Sequence, residues 1–204
     1  TMHADLYIDH IDVSKYLPME DCLDCGFTCK QFAKRLIKRE VDVNKCPHLS
    51  GKQRDYIKMV VDAENVLPKV PIYPSTITTK TGFVMAGNKN SPILVTANYP
   101  YTQAVIGEVL TKANIQCNLL IIDTEGYSVD MAVYLNLFTG ERVRTAILES
   151  DLQNLVNHKK LVIPGLAERY KDEIEEATGW EVLVGPVCAV EIPIFLLSKK
   201  LVNS

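Results

Sequence analysis

In the second half of the chain the apolar residues fall into short unbroken runs. Ile93-Leu94-Val95-Thr96, Leu119-Leu120-Ile121-Ile122, Leu161-Val162-Ile163 and Val182-Leu183-Val184 each read as a strand buried on both faces. Between them the apolar spacing becomes helical. Val105, Ile106, Val109 and Leu110 mark a helix over about residues 103–113, and others are predicted near 129–137 and 145–156. Leu166, Tyr170, Ile174 and Ala177 share one face of a further helix, and a last one covers about 189–201. Strands alternating with helices predict an α/β fold: a Rossmann-like domain with a mostly parallel sheet, over 91–204.

The preceding residues follow other patterns. Leu6, Ile8, Ile11 and Val13 alternate loosely with polar residues and predict a short strand over 6–13, with Ser14 capping the turn behind it. Phe32, Ala33, Leu36 and Ile37 form an apolar helical face opposite Lys30, Lys34, Arg35 and Lys38. A helix over 51–67 would turn Tyr56, Ile57, Val60 and Val61 inward. Pro68, Pro71 and Pro74 then block regular structure and read as a linker, before a short strand over 82–86. The expected division is a small cysteine-bearing module at 1–50, a helix with a proline-rich linker at 51–90, and the α/β domain at 91–204.

Four of the six cysteines lie in the first module: Cys22, Cys25 and Cys29 together, and Cys46 after one helix with Pro47 directly behind it. Soft, charged thiolates at this spacing suit an iron–sulfur cluster. Three ligands from one loop hold one face of a cube, and the distant fourth closes it. Gly26 lets the backbone approach the cluster. Four thiolates also suit zinc, but a zinc ribbon carries two CxxC pairs and only Cys22 and Cys25 form one. Iron–sulfur is therefore favoured. Cys117 and Cys188 sit in apolar surroundings and read as buried small hydrophobes. The basic helix face reads as a solvated surface, with guidance of an acidic redox partner as the alternative.

A formal net charge of −3 argues against a nucleic-acid partner. No apolar run nears the ~20 residues that a membrane span needs, and residues 1–12 are too polar and acidic for a signal peptide. The expected location is the cytoplasm, where unpaired thiols persist. P-loop, GxGxxG, GxSxG and HExxH signatures are missing from the sequence. Asp123 and Glu125 read as hydrogen-bonded structural groups rather than an acid/base pair. Parallel sheets bind ligands beyond the carboxyl ends of their strands. Thr96-Ala97-Asn98, Asp123 to Ser128, Pro164-Gly165 and Gly185-Pro186 gather there, as a ligand-lined edge or as ordinary strand-to-helix turns.

These motifs together resemble a known family. The pattern LP-x3-C-x2-C-G-x2-C-x2-FA…CP is similar to the iron–sulfur domain of the large (gamma) subunit of corrinoid iron–sulfur proteins of acetyl-CoA synthesis. LVTANYPYT (94–102), IDTEGYSVDMA (122–132), LVIPG (161–165) and TGWEVLVGP…IPIFL (178–196) resemble that subunit's C-terminal corrinoid-binding domain. The resemblance implies a 4Fe-4S cluster on Cys22, Cys25, Cys29 and Cys46, and a corrinoid (cobalamin) in the second domain. It implies that Ala97, Asn98, Thr102 and Gln103 approach the corrin from the first loop. Gly126, Tyr127, Ser128, Val129, Asp130 and Met131 would then lie under the ring, with Gly185 and Pro186 closing its edge.

In that family cobalt takes a methyl group from methyltetrahydrofolate through a separate methyltransferase and passes it to acetyl-CoA synthase, while the cluster restores cobalt that has slipped to Co(II). The resemblance thus implies a methyl carrier and electron-transfer component of a corrinoid-dependent methyltransferase system, with a methyltransferase or redox protein as partner. Three departures stand out. The gap before Cys29 is one residue shorter than usual; residues 49–90 are far too few for the family's middle barrel of roughly 250 residues; and Met131 stands where the family has a threonine beneath the ring. An electron-transfer protein without corrinoid, and a corrinoid-binding or regulatory module without turnover, remain the alternatives. Oligomeric state is left open.

Overall fold

The computed structural model describes residues 2–204. Its helices are α1 (Cys29–Ile37), α2 (Gly51–Val61), α3 (Ala63–Val66), α4 (Pro100–Ala113), α5 (Val129–Tyr134), α6 (Gly140–Glu149), α7 (Leu152–Leu155), α8 (Lys171–Thr178) and α9 (Ile192–Ser198). Its strands are β1 (Gly82–Val84), β2 (Ile93–Ala97), β3 (Asn118–Ile122), β4 (Lys160–Ile163) and β5 (Glu181–Val184). They form one sheet in the order β1-β3-β2-β4-β5. β2 to β5 are parallel, and β1 runs antiparallel along β3 at the edge. The mostly parallel α/β sheet expected from the apolar runs is present. From β2 the chain winds outward first to β3, then on the other side to β4 and β5, so a topological switch point lies between β2 and β4.

Successive strand side chains point to opposite faces, and the two faces have separate cores. Ile93, Val95, Leu120, Ile122, Leu161, Ile163 and Val182 pack on side chains of α5, α6, α7 and α8. Leu94 and Val162 join the other core, with residues of α4 and α9. That second core also takes in Phe32 and Leu36 of α1 and Tyr56, Ile57 and Val60 of α2. The cysteine-bearing region therefore shares apolar burial with the sheet.

Local chemistry sets the helix ends. Thr28 with Gln31, and Ser50 with Gln53, form capping boxes that start α1 and α2. Pro100 opens α4, where its missing N–H costs nothing, and Asn114 ends it in the left-handed region at φ 53°.

Several elements differ from the expectation. Residues 6–13 form no strand: Leu6 and Tyr7 are left-handed (φ 55° and 64°), and 3-10 turns follow at Ile8–His10 and Val13–Tyr16. The cap of the second turn is Asp12, which accepts the Ser14 N–H at 3.1 Å, rather than Ser14 itself. Ile37 ends α1 exposed rather than buried. The helix expected over 51–67 breaks at Asp62, and that over 145–156 breaks at Asp151, left-handed at φ 53°. The one expected from Leu166 opens as a 3-10 turn, Gly165–Tyr170, before α8. The last helix likewise opens as a 3-10 turn, Ala189–Glu191. The proline segment is irregular as read, yet it has tertiary partners: Ala4 donates its N–H to the Val70 carbonyl at 2.9 Å, and His3 bridges Pro71. No helix among the described residues is long and apolar enough to cross a membrane.

Candidate functional site

Cys22, Cys25, Cys29 and Cys46 line one small pocket, backed by Leu17, Phe27 and Phe32. All four thiols are free. Cys29 is the first residue of α1, and the 3-10 turn Val43–Lys45 delivers Cys46 into the buried side. Cys25 and Cys29 are half-buried and Cys22 is exposed, so the pocket has an apolar back and an open front.

The loop between Pro18 and Cys29 reverses tightly to achieve this. Met19, Asp21, Leu23 and Gly26 all have positive φ (59°, 48°, 63° and 86°). Glycine accepts that conformation freely, whereas side-chain-bearing residues resist it. The turn is held by Asp21, which accepts the Cys29 N–H at 2.8 Å, and by the Leu23 carbonyl, which accepts that of Gly26 at 2.8 Å. Four convergent thiols with apolar backing fit a thiolate-bound iron–sulfur cluster. At the open front, donor atoms of Cys22, Asp24 and His48 lie within 4.8 Å of one another. His48 Nε2 is 2.6 Å from the Asp24 carboxylate, and this contact holds the Asp24 carboxyl below its usual range.

A second feature lies at the switch point. A cavity of about 270 Å³ opens beyond the carboxyl ends of β2, β4 and β5, on the side covered by α4. Six of the residues expected to meet a ligand line it: Thr102, Ser128, Val129, Asp130, Gly185 and Pro186. Beside it the loops after β4 and β5 press together. A Cβ on Gly165 would lie 2.8 Å from both the Gly185 carbonyl oxygen and the Val187 nitrogen, and one on Gly185 3.0 Å from the Ile163 oxygen.

The other six lie outside the lining. Ala97 is fully buried in the opposite core. Asn98 is buried, and its Oδ1 accepts from Thr124 N (2.9 Å) and Gly126 N (3.1 Å), which shapes the loop after β3. Gln103 donates from Nε2 to the Thr79 hydroxyl (2.6 Å) and the Ala97 carbonyl (2.9 Å), tying the proline segment to the end of β2. Gly126 packs so closely on Thr78 that a Cβ would fall 2.4 Å from its methyl. Tyr127 and Met131 are exposed. Asp123 and Glu125 are held by Arg142, which donates to the Asp123 carbonyl at 2.8 Å and lies 3.4 Å from the Glu125 carboxylate, in line with a structural role.

Two further lining residues stand out: Thr96, from the Thr96-Ala97-Asn98 stretch at the strand end, and Tyr7. Thr96 is 0% exposed, lines the cavity, and its hydroxyl has no hydrogen-bond partner among the described residues. A polar residue within an otherwise apolar strand was the signal for it. Tyr7 reaches the cavity from the N-terminal segment, and no local pattern pointed there. Its phenol is pushed up to about 12, first by burial and then by the nearby Asp130 carboxylate.

Comparison with known proteins bears on both features. The family model CdhD, CO dehydrogenase/acetyl-CoA synthase delta subunit, matches residues 55–196. A second family model, FeS, for an Fe-S cluster, matches residues 17–48. The chain is 44% identical over 116 residues to the acetyl-CoA decarbonylase/synthase complex subunit gamma of Methanopyrus kandleri, covering 57% of this chain and 25% of that protein. The subunit gamma of Archaeoglobus fulgidus is 41% identical over 98 residues, 48% of this chain and 21% of its own length. The corrinoid/iron-sulfur protein large subunit of Moorella thermoacetica is 29% identical over 170 residues, 83% of this chain and 35% of its own length. The chain thus spans only 21% to 35% of the length of these relatives.

Proposed function

The chain belongs to the CO dehydrogenase/acetyl-CoA synthase delta subunit family, and from that premise we propose that it binds a 4Fe-4S cluster and a corrinoid and acts as a methyl carrier and electron-transfer subunit. The observation that carries this reading is the convergence of Cys22, Cys25, Cys29 and Cys46 on one pocket, in a chain whose sheet also opens a cavity at its switch point. When bound, the cluster supplies one-electron transfer, and the corrinoid supplies a cobalt centre for methyl transfer.

The chain's own residues hold, orient and shield. The four thiolates hold the cluster, while Leu17, Phe27 and Phe32 keep water from its buried side. Gly185 and Pro186 would border the group on one side, with the Gly165 loop packed behind them. Asn98 and Gln103 act one layer back, fixing the loops that present Ser128, Val129 and Thr102. Met131, exposed on α5, is assigned no contact with the group.

The proposed division keeps the cluster module at 1–50, the helix and linker at 51–90 and the corrinoid-binding domain at 91–204. The proposed partner is a methyltransferase or a redox protein, in keeping with relatives whose names make them subunits of a complex. The proposed location is the cytoplasm. Anaerobic purification followed by reconstitution with cobalamin tests the reading: iron and corrinoid absorption in the same chain support it, and a chain that retains neither refutes it.

A further inference from the structure

Cys22 differs from the other three thiols of its pocket. Cys25 and Cys29 are half-buried and Cys46 is buried, whereas Cys22 is exposed. Exposed thiolates are the ones most readily lost to exchange or oxidation. The side chains beside Cys22 therefore decide whether that corner keeps its iron once the thiolate is gone.

Two metal-binding side chains stand there. One donor atom each from Cys22, Asp24 and His48 lie within 4.8 Å of one another. Donors that share one ion at bond lengths of about 2.1–2.3 Å are about 3.5 Å apart, so small side-chain rotations bring the three together. They come from both ends of the module. Leu23, left-handed at φ 63°, turns the chain between Cys22 and Asp24, and His48 follows Cys46 and Pro47.

His48 Nε2 lies 2.6 Å from the Asp24 carboxylate. Both side chains are about half exposed, at 44% and 53%, and an ion pair at such exposure adds little to stability. The same pairing is how metal-binding histidines are commonly held, with one ring nitrogen on a carboxylate and the other on the metal. Imidazole is also a proven ligand of cluster iron: in Rieske centres two histidines replace two thiolates and raise the potential.

We propose that His48 is a reserve ligand for the iron at the Cys22 corner, held in place by Asp24 as a positioning residue. The inference rests on the reading of the four cysteines as an iron–sulfur site. With Cys22 intact its thiolate holds the iron, and His48 stays paired with Asp24. When that thiolate is lost, the second ring nitrogen of His48 binds the iron instead. One Fe–S bond is exchanged for one Fe–N bond, and no electron is transferred. The corner keeps its iron but carries one negative charge less, because a neutral imidazole replaces a thiolate.

The test reconstitutes the full chain anaerobically with iron and sulfide, in the wild type, Cys22→Ala, Cys25→Ala, Cys22→Ala/His48→Ala and Cys22→Ala/Asp24→Ala. Iron content, reduction potential and pulsed electron paramagnetic resonance are read on each, with far-UV circular dichroism as the check of folding. Cys22→Ala is expected to hold several-fold more iron than Cys25→Ala, although less than the wild type. Its reduced cluster is expected to show strong nitrogen hyperfine coupling, absent in the wild type, and a higher potential. Adding His48→Ala is expected to remove the coupling and bring iron down to the Cys25→Ala level, and adding Asp24→Ala to lower iron by a smaller factor. A Cys22→Ala chain with no more iron than Cys25→Ala, or with iron but no nitrogen coupling, overturns the reserve ligand. An iron-loaded wild type beside it leaves the cluster reading intact. A wild type that takes up no iron overturns both.

Discussion

Asn98 and Thr124 are joined twice: Asn98 Oδ1 accepts from the Thr124 backbone N–H and from the Thr124 hydroxyl, each at 2.9 Å. Both residues are buried, at 7% and 0% exposure, and the same oxygen also accepts the Gly126 N–H. One side chain at the end of β2 thereby sets the path of the loop after β3, which leads into the cavity-lining residues Ser128 to Asp130.

Asn98→Ala removes that acceptor and leaves buried donors unpaired. A loss of about 3 kcal/mol is expected, read from the urea midpoint at unchanged slope. A loss below about 0.5 kcal/mol would mean that other contacts shape the loop.

The six cysteines separate into two groups. Serine at Cys22, Cys25, Cys29 or Cys46 is expected to lower iron content and alter the cluster's electron paramagnetic resonance signal. Alanine at Cys117 or Cys188 is expected to leave both unchanged. These two thiols are buried, and burial pushes them up to about 12 and about 11, so neither supplies a ready thiolate.

Thr96 gives a prediction for the stability of the chain. Thr96→Val replaces an unpartnered buried hydroxyl with a methyl of similar size, so the free chain is expected to gain about 1 kcal/mol. Thermal unfolding of the two proteins reads the gain, and a lower midpoint for Thr96→Val would contradict it.

Glu191 predicts a pH dependence. Its carboxyl is 2% exposed, and its Oε1 accepts the Asp12 N–H at 3.1 Å. Burial pushes it up, opposed by that hydrogen bond and by Lys15 and reinforced by the Asp12 carboxylate. A raised carboxyl gives stability that is complete below the unfolded carboxylate range and is lost as pH rises through the raised value. Glu191→Gln escapes that loss. Its unfolding midpoint should exceed the wild type's at neutral pH and meet it near about pH 4. A gap independent of pH would contradict this account.

The parallel strands were legible because burial on both faces demands unbroken apolar runs, which β2 to β4 carry; β5 carries one too, although at the sheet edge only Val182 is buried. That Cys22, Cys25, Cys29 and Cys46 share one pocket was legible from their spacing and from the helix between them. The N-terminal segment was not. Leu6, Ile8, Ile11 and Val13 alternate as a strand would, but Leu6 and Tyr7 take left-handed backbone next to Ala4, which bonds to Val70, distant in sequence. The helix breaks at Asp62 and Asp151 escaped for a related reason: one residue's backbone turned, without proline or glycine to announce it. Asn98 directly follows β2 and Gln103 lies in the first turn of α4, and their side chains serve neighbouring loops instead of the cavity. Which way a polar side chain turns depends on partners that spacing alone does not reveal.

The most direct measurement of the central claim is metal analysis of the anaerobically purified chain after reconstitution with iron, sulfide and cobalamin. About four irons per chain on the four cysteines, with about one cobalt, is the expected result. Zinc in place of iron, or iron without any cobalt, would contradict it.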